Sequence, residues 1–132
     1  MPRATRTSDL GIHIGRFAAG PTDGITDVAG VRVAATTVIS GEGELQRGRG
    51  PVRTGVTAIL PRAAAEMGHP LFAGTHRLNG NGELTGLEWI RESGLLTSPI
   101  CLTNTHSVGV VHDAMIGWSL EHVPDAPPWS LP

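Results

Sequence analysis

The chain has 132 residues, of which 39% are apolar, with a formal net charge of -2 and a pI near 6.3. This length allows one domain with a modest core. The basic residues are all Arg and are scattered along the chain, so no nucleic-acid partner is expected. No apolar run approaches the roughly 20 residues that span a bilayer, and the first residues lack a hydrophobic signal core. The sequence therefore predicts a cytoplasmic protein without a membrane partner.

Missing residue types narrow the possible chemistry. The chain has no Lys and no Tyr, which excludes from it a Schiff-base lysine, a P-loop lysine and a tyrosine general acid. Its one cysteine, Cys101, cannot form an internal disulfide. The apolar neighbours Ile100 and Leu102 favour a buried thiol over a catalytic one.

The N-terminal half predicts an irregular arm followed by a β-hairpin. Residues 1–23 show only weak periodicity and are interpreted as the arm. Residues 31–39 are rich in β-branched side chains, and a second such run, 54–60, is ended by Pro61. Because the glycine-rich segment 40–50 joins two runs of similar length, we expect them to pair antiparallel.

The stretch from 71 to 94 predicts a strand, a sharp turn and a short helix. Residues 71–78 are interpreted as the strand, and the Asn-Gly pairs within 79–82 favour positive φ. Thr85 and Glu88 have the spacing of a capping box, so the helix is expected to begin at Thr85. Gly94 is placed to end it as a left-handed cap.

The rest of the chain predicts a loop at 62–70, a short strand at 99–103 buried on both faces, and a helix from 107 to about 122. Gly109 and Gly117 in this helix predict close approach to a strand or another helix. The predicted order is β-β-β-α-β-α. The apolar helix face is expected to contain Val108, Val111, Met115, Trp118 and Glu121, widened by Ala114 and Leu120.

Three other patterns could carry chemistry, and each is weak. Gly80, Gly82 and Gly86 miss the dinucleotide-binding fingerprint by one residue, and a nucleotide site would need a phosphate at the turn 79–86. The six His lack the spacing of metal ligands, so neither a metal nor another cofactor is expected. Ser107 lies near His106 and Asp113, but adjacency along one helix start favours a capping serine over a catalytic triad.

Four blocks in order resemble the L-aminopeptidase/D-esterase family that also contains the β-peptidyl aminopeptidases, peptidase family S58. They are residues 24–40 (GITDVAGVRVAATTVIS), 50–61 (GPVRTGVTAILP), 78–86 (LNGNGELTG) and 100–109 (ICLTNTHSVG). The resemblance covers about residues 10–132 and corresponds to the front of that family's α-chain. It implies an α/β (α+β) fold, part of a four-layer α/β/β/α sandwich of the N-terminal-nucleophile hydrolase type. Residues 1–132 would be a single domain fragment, with 24–132 as the front part of the α-chain.

The resemblance also implies a self-processing serine aminopeptidase that releases L-, D- or β-amino acids from peptides, amides or esters. The nucleophilic serine, the oxyanion asparagine and the acidic residue that receives the substrate's amino group would all lie beyond residue 132, so no catalytic residue is assigned in this chain. Trp129 is the one pocket residue transferred, and Asn79 and Asn104 are weaker substrate-binding candidates.

The implied partners are the remainder of the α-chain and the β-chain that carries the N-terminal serine, assembled as a homo-oligomer of αβ units. The 132-residue chain alone is expected to be inactive. The alternative is a noncatalytic binding or assembly subunit of the same fold. The sequence leaves open the substrate stereochemistry and the preference for α- or β-amino acids.

Overall fold

A computed structural model describes residues 5–123. The helices and strands are β1 (Arg32–Ser40), β2 (Val52–Leu60), β3 (Leu71–Phe72), α1 (Leu87–Ser93), β4 (Leu95–Leu96), β5 (Ile100–Thr103) and α2 (Val108–His122). Short 3-10 turns occur as well, the first of them at Ser8–Leu10 in the otherwise irregular segment before β1. The mixed helix and sheet content confirms the α+β class.

The centre of the fold is the antiparallel hairpin of β1 and β2. The two strands pair over their whole length, from Arg32 opposite Leu60 to Ser40 opposite Val52. This confirms the predicted hairpin and its glycine-rich connection. On its other edge β2 pairs antiparallel with β5, so the sheet order is β1-β2-β5 and β2 is the central strand.

The turn that leads into β1 is built on one carboxylate. Asp27 accepts hydrogen bonds from the Thr22 hydroxyl at 2.7 Å, from the Thr22 amide at 3.0 Å and from the Gly24 amide at 3.2 Å. The Thr22 hydroxyl is the main cause that lowers the pKa of Asp27, and the backbone amides add to it. These bonds favour the ionised carboxylate.

The prediction of a strand over residues 71–78 is correct only for its first two residues, Leu71 and Phe72. Only Leu71 and Phe72 are extended in a ladder, opposite Leu96 and Leu95. The last bond of this pairing region joins the Ala73 amide to the Gly94 carbonyl at 2.9 Å. A strand needs a partner ladder, and β4 is two residues long, so the chain leaves the extended pairing after Ala73.

The two Asn-Gly pairs turn the chain by a different means from the one predicted. Gly80 and Gly82 do not adopt positive φ. Instead, the Asn79 side-chain oxygen accepts a hydrogen bond from the Asn81 amide at 2.9 Å. Asn therefore makes this turn through its side chain, as in an Asx turn.

The predicted capping box does not form at α1. The helix begins at Leu87 rather than Thr85, because Gly86 before it has φ 80° and lies outside the helical region. Glu88 instead faces solvent, with its carboxylate 3.4 Å from Arg91 and 3.7 Å from Arg77. The helix ends at Gly94 with φ 70°, which confirms the left-handed cap.

The most deeply buried side chain lies where only a loop was predicted. Residues 62–70 contain a 3-10 turn, Ala64–Glu66, and Met67 directly after it is 1% exposed. The other buried apolar residues among those described are Leu87 and Val123. Met67 has no apolar repeat around it in the sequence, so its burial is decided by distant parts of the chain.

One face of α2 matches the prediction, and the other does not. Val108, Val111, Met115 and Trp118 are half-buried, as expected. Ala114, Leu120 and Glu121 are exposed, so they do not extend the covered face. A Cβ at Gly109 or Gly117 would meet no atom within 4 Å, so neither glycine marks close packing among residues 5–123. The outer face of α2 has no neighbour in this part of the chain.

Strand β5 and the sheet around it are likewise covered on one side only. Ile100 and Leu102 are 38% and 57% exposed, while Cys101 and Thr103 are half-buried. The prediction of a strand buried on both faces is therefore wrong for the described residues. The pairing register places Ile100 across from Ile59, which is across from Val33.

Residues directly opposite each other in an antiparallel sheet share a face, and so do alternate residues of one strand. Ile100 and Leu102 therefore lie on the same face as Val33 and Ile39, which are also exposed. We call this set, Val33, Ile39, Ile100 and Leu102, the open sheet face. It is an apolar surface without a cover among residues 5–123.

Candidate functional site

A cleft of about 370 Å³ lies between β5 and the helices. Its walls come from residues 73–75, 83–86, 95–103 and the inward residues of α1 and α2. We call it the β5 cleft. Trp89, Ile90 and Met115 contribute large apolar groups to it. Most of the cleft surface is therefore apolar, although Glu83 and His112 also line it.

The wall of the β5 cleft also includes polar residues, which are Thr75, Glu83, Thr85, Thr97, Ser98, Thr103 and His112. The Thr75 hydroxyl is buried and has no hydrogen-bond partner. Cys101 also lines the cleft, and burial raises the pKa of its thiol. A raised pKa keeps the sulfur protonated at neutral pH, whereas a catalytic thiol needs a lowered one. Cys101 is half-buried rather than buried as its apolar neighbours predicted, and the raised pKa favours a structural thiol over a catalytic one.

Asn104 is held by a local network at the junction of β5 and α2. Its side-chain oxygen accepts from the His106 amide at 3.0 Å and so caps the 3-10 turn Thr105–Ser107. Its side-chain nitrogen donates to the Thr54 hydroxyl at 2.6 Å and to the Ser107 hydroxyl at 2.9 Å. Both amide hydrogens are used, so Asn104 ties β2 to the start of α2.

The expected capping role of Ser107 is only half right. Ser107 occupies the residue before α2, but its side chain makes no capping hydrogen bond to the helix. Its hydroxyl instead accepts from Asn104, which supplies the cap of the preceding turn. The side chain that organises this helix start is therefore Asn104.

The predicted site residues do not come together at the β5 cleft. Asn79 lies in the exposed turn before α1, and neither Asn79 nor Asn104 lines the cleft. Trp129 lies outside the described residues. Thr75 was not predicted from the sequence, since only the tertiary structure leaves its hydroxyl buried without a partner.

Within residues 5–123, no cluster of three or more His, Cys, Asp or Glu side chains has the arrangement of a metal site. No helix in the same part of the chain combines the length and the apolar character needed to cross a membrane.

The fold and the comparisons define the class of protein. The profile of Peptidase family S58 matches residues 23–131, which include the hairpin, both helices and the β5 cleft. The chain therefore belongs to peptidase family S58.

Two curated relatives are both β-peptidyl aminopeptidases named BapA. The one from Sphingosinicella microcystinivorans is 53% identical over 115 residues, which are 86% of this chain and 28% of the relative. The one from Sphingosinicella xenopeptidilytica is 45% identical over 120 residues, which are 91% of this chain and 29% of the relative. The chain thus spans under a third of the length of these relatives.

Solved structures give the same result for the fold. The PH0078 protein from Pyrococcus horikoshii OT3 superposes with a TM-score of 0.83 at 41% identity, over 94% of this chain and 35% of the other. A Burkholderia β-aminopeptidase gives 0.75 at 56% identity, over 89% and 32%.

The L-aminopeptidase D-Ala-esterase/amidase from Ochrobactrum anthropi gives a TM-score of 0.76 at 44% identity, over 90% of this chain and 32% of the other. It is described as a prototype for the serine aminopeptidases and as a new variant of the Ntn hydrolase fold. This chain is similar to one part of that fold.

Proposed function

We propose that this chain is the front part of a self-processing serine aminopeptidase that releases N-terminal amino acids from peptides, amides or esters. The similarity to enzymes named β-peptidyl aminopeptidase and L-aminopeptidase supports the reaction class. In this proposal, residues 24–132 supply sheet and helix scaffold and one wall of the substrate pocket. The catalytic serine is supplied by the part of the enzyme beyond the matched region.

The observation that carries the proposal is the amount of uncovered surface. The chain exposes 10518 Å², about 1.6 times the surface expected for a compact monomer of 13.8 kDa. The exposed large apolar side chains include those of the open sheet face. A surface of this kind is typical of a chain that packs against further polypeptide. We propose that a second sheet covers the open sheet face and so completes the four-layer α/β/β/α sandwich.

The reaction would be acyl transfer. A serine freed at a new amino terminus attacks the carbonyl beside the substrate's free amino group, and fixed donors stabilise the oxyanion. Water then releases the acyl group. Among the described serines, the Ser107 hydroxyl accepts from the Asn104 amide, and the Ser93 hydroxyl bonds the backbone of Trp89 and Leu95, so neither is held by a base. This is consistent with a nucleophile outside the chain.

Three residues are proposed to contribute to substrate binding: Trp129, Asn79 and Asn104. For Asn104 the role is positioning, because its amide already bonds Thr54, His106 and Ser107. Asn79 retains the two hydrogens of its amide nitrogen in an exposed turn, where they could meet a substrate carbonyl.

The proposed assembly is a homo-oligomer of αβ units in the cytoplasm, without a cofactor. Each unit would combine this chain, the rest of the α-chain and a β-chain with the N-terminal serine. The coverage of under a third of each BapA relative supports a larger enzyme around this chain.

The test uses a chimera in which this chain replaces the matching 28% of the Sphingosinicella microcystinivorans enzyme. We expect the chimera to cut itself into two chains on a denaturing gel and to release p-nitroaniline from alanyl or β-alanyl p-nitroanilide. The 132-residue chain alone should release none, because losing even one oxyanion donor costs about 10²–10³ in rate.

Two outcomes would contradict the proposal. Turnover by the 132-residue chain that one Ser→Ala substitution abolishes would place a nucleophile inside it. A folded, inert chimera, together with a stable monomeric 132-residue chain on size exclusion, would favour a noncatalytic binding or assembly subunit.

A further inference from the structure

The β5 cleft runs along the edge of a strand rather than over one face of the sheet. Residues 100, 101, 102 and 103 all line it, although alternate side chains of a strand point to opposite faces. Contact with every residue in a row is what a cleft along the edge of the strand would give. On the opposite edge β5 pairs with β2, and among residues 5–123 no strand pairs with the edge that lines the cleft.

An open strand edge carries unpaired backbone donors and acceptors, which are a template for another strand. Proteins protect true edges with charged side chains, prolines or bulges inside the strand. Strand β5 contains no charged residue and no proline, since its residues are Ile100, Cys101, Leu102 and Thr103. Strand β5 therefore has the composition of an interior strand.

The surroundings of this edge fit a polypeptide better than a small polar ligand. The cleft wall is mainly apolar, with Trp89, Ile90 and Met115 placed to receive a side chain.

We propose that the β5 cleft receives a β-strand from the part of the S58 enzyme that this chain lacks. The incoming strand pairs with the free edge of β5 and inserts an apolar side chain between α1 and α2. The cleft is thus a structural joint and not the substrate pocket. This inference rests on the proposed function in one respect, which is that it takes the remainder of an S58 enzyme as the partner.

Hydrogen exchange tests the strand directly in the chimera described above, with β2 as the internal control. Strand β2 is paired on both edges within this chain, between β1 and β5. If a strand also covers β5, peptides containing residues 100–103 and 54–59 exchange with rates within about tenfold of each other. The proposal would be overturned if only β2 showed the slowest exchange. In that case each β5 amide that does not bond β2 would exchange at least about a hundredfold faster than the β2 amides.

The reactivity of Cys101, the one cysteine of this chain, distinguishes the proposed strand from two other possible occupants of the cleft, a substrate and a second copy of the chain. Cys101 should react with a thiol reagent at least about tenfold more slowly in the chimera than in the 132-residue chain, because the strand covers it. Slowing that appears only when alanyl or β-alanyl amide is added would make the cleft a substrate pocket. Slowing in the 132-residue chain that increases with its own concentration would make the occupant a second copy. Either result overturns the proposal.

These readouts separate the inference from the proposed function. A chimera that hydrolyses anilides while β5 exchanges freely retains the proposed function and loses the strand. A chimera with a protected β5 edge but no self-cleavage and no hydrolysis retains the strand and loses the function.

Discussion

The β1–β2 hairpin and the region from β3 to α2 differ in how many of their strand edges and helix faces are paired or covered by this chain. The hairpin pairs nine residues with nine, and β2 has a neighbour on both sides. In the second region the strands are two to four residues long, one face of α2 is open, and a cleft lies beside β5. The difference indicates that backbone pairing in the hairpin is local, whereas the strands and helices of the second region are only partly covered by residues 5–123.

The largest effect is expected at Met67, which lies in the connection between β2 and β3 and is 1% exposed. Met67→Ala should lower the free energy of unfolding by about 2–5 kcal/mol, because it leaves a cavity. Urea denaturation followed by circular dichroism measures the change. Met115→Ala, at a half-buried position on the cleft wall, is the comparison and should cost less in this chain. An equal loss at both positions would mean that the second region is already fully packed.

Gly55 tests the hairpin itself. A Cβ at Gly55 would lie 2.3 Å from the Thr36 carbonyl oxygen and 3.2 Å from the Thr37 Cα, both on the neighbouring strand. Gly55→Ala should therefore destabilise by about 1–3 kcal/mol, because the ladder must shift. Gly80→Ala is the matched control, since a Cβ there meets nothing and φ is not positive. Similar melting temperatures for both variants would show that the hairpin pairing is not as close as described.

Trp118 and Glu121 compare a half-buried with an exposed position near the end of α2. Its ring stacks on His122 with centroids 4.9 Å apart, and it is half-buried rather than buried. Trp118→Ala should cost about 1–3 kcal/mol, below the about 3–5 kcal/mol of a fully buried aromatic. The exposed neighbour Glu121→Ala should change stability by less than about 0.5 kcal/mol. A loss at Trp118 no greater than at Glu121 would place the tryptophan in solvent.

The smallest effect concerns the turn before β1. The pKa of Asp27 is lowered from 3.8 by its hydrogen bonds. The folded state therefore binds this proton less readily than the unfolded state, and the turn is stabilised above about pH 3.8. The stabilisation is lost as the pH falls through the lowered folded value. Asp27→Asn should reduce this acid dependence in a melting-temperature series from pH 7 to pH 2. A parent chain and variant with parallel pH profiles would contradict the assignment.

The sequence alone was sufficient where structure is made by neighbouring residues. Two β-branched runs joined by glycines predicted the hairpin, because pairing between adjacent strands needs only local closure. Gly94 predicted the end of α1 because a left-handed cap is a property of one residue. The four sequence blocks at 24–40, 50–61, 78–86 and 100–109 predicted the family, because their residues and their order along the chain can be compared without a structure.

The tertiary structure alone decided burial and the partners of polar groups. Capping by Thr85 failed because Gly86 adopts a conformation that delays the helix. Met67 has no apolar repeat around it, yet among residues 5–123 it is the most buried apolar residue. Thr75 and Asn104 are similar polar residues in the sequence, but one hydroxyl is left without a partner and one amide is fully bonded. Such differences arise from contacts between residues far apart in the chain, which local pattern does not encode.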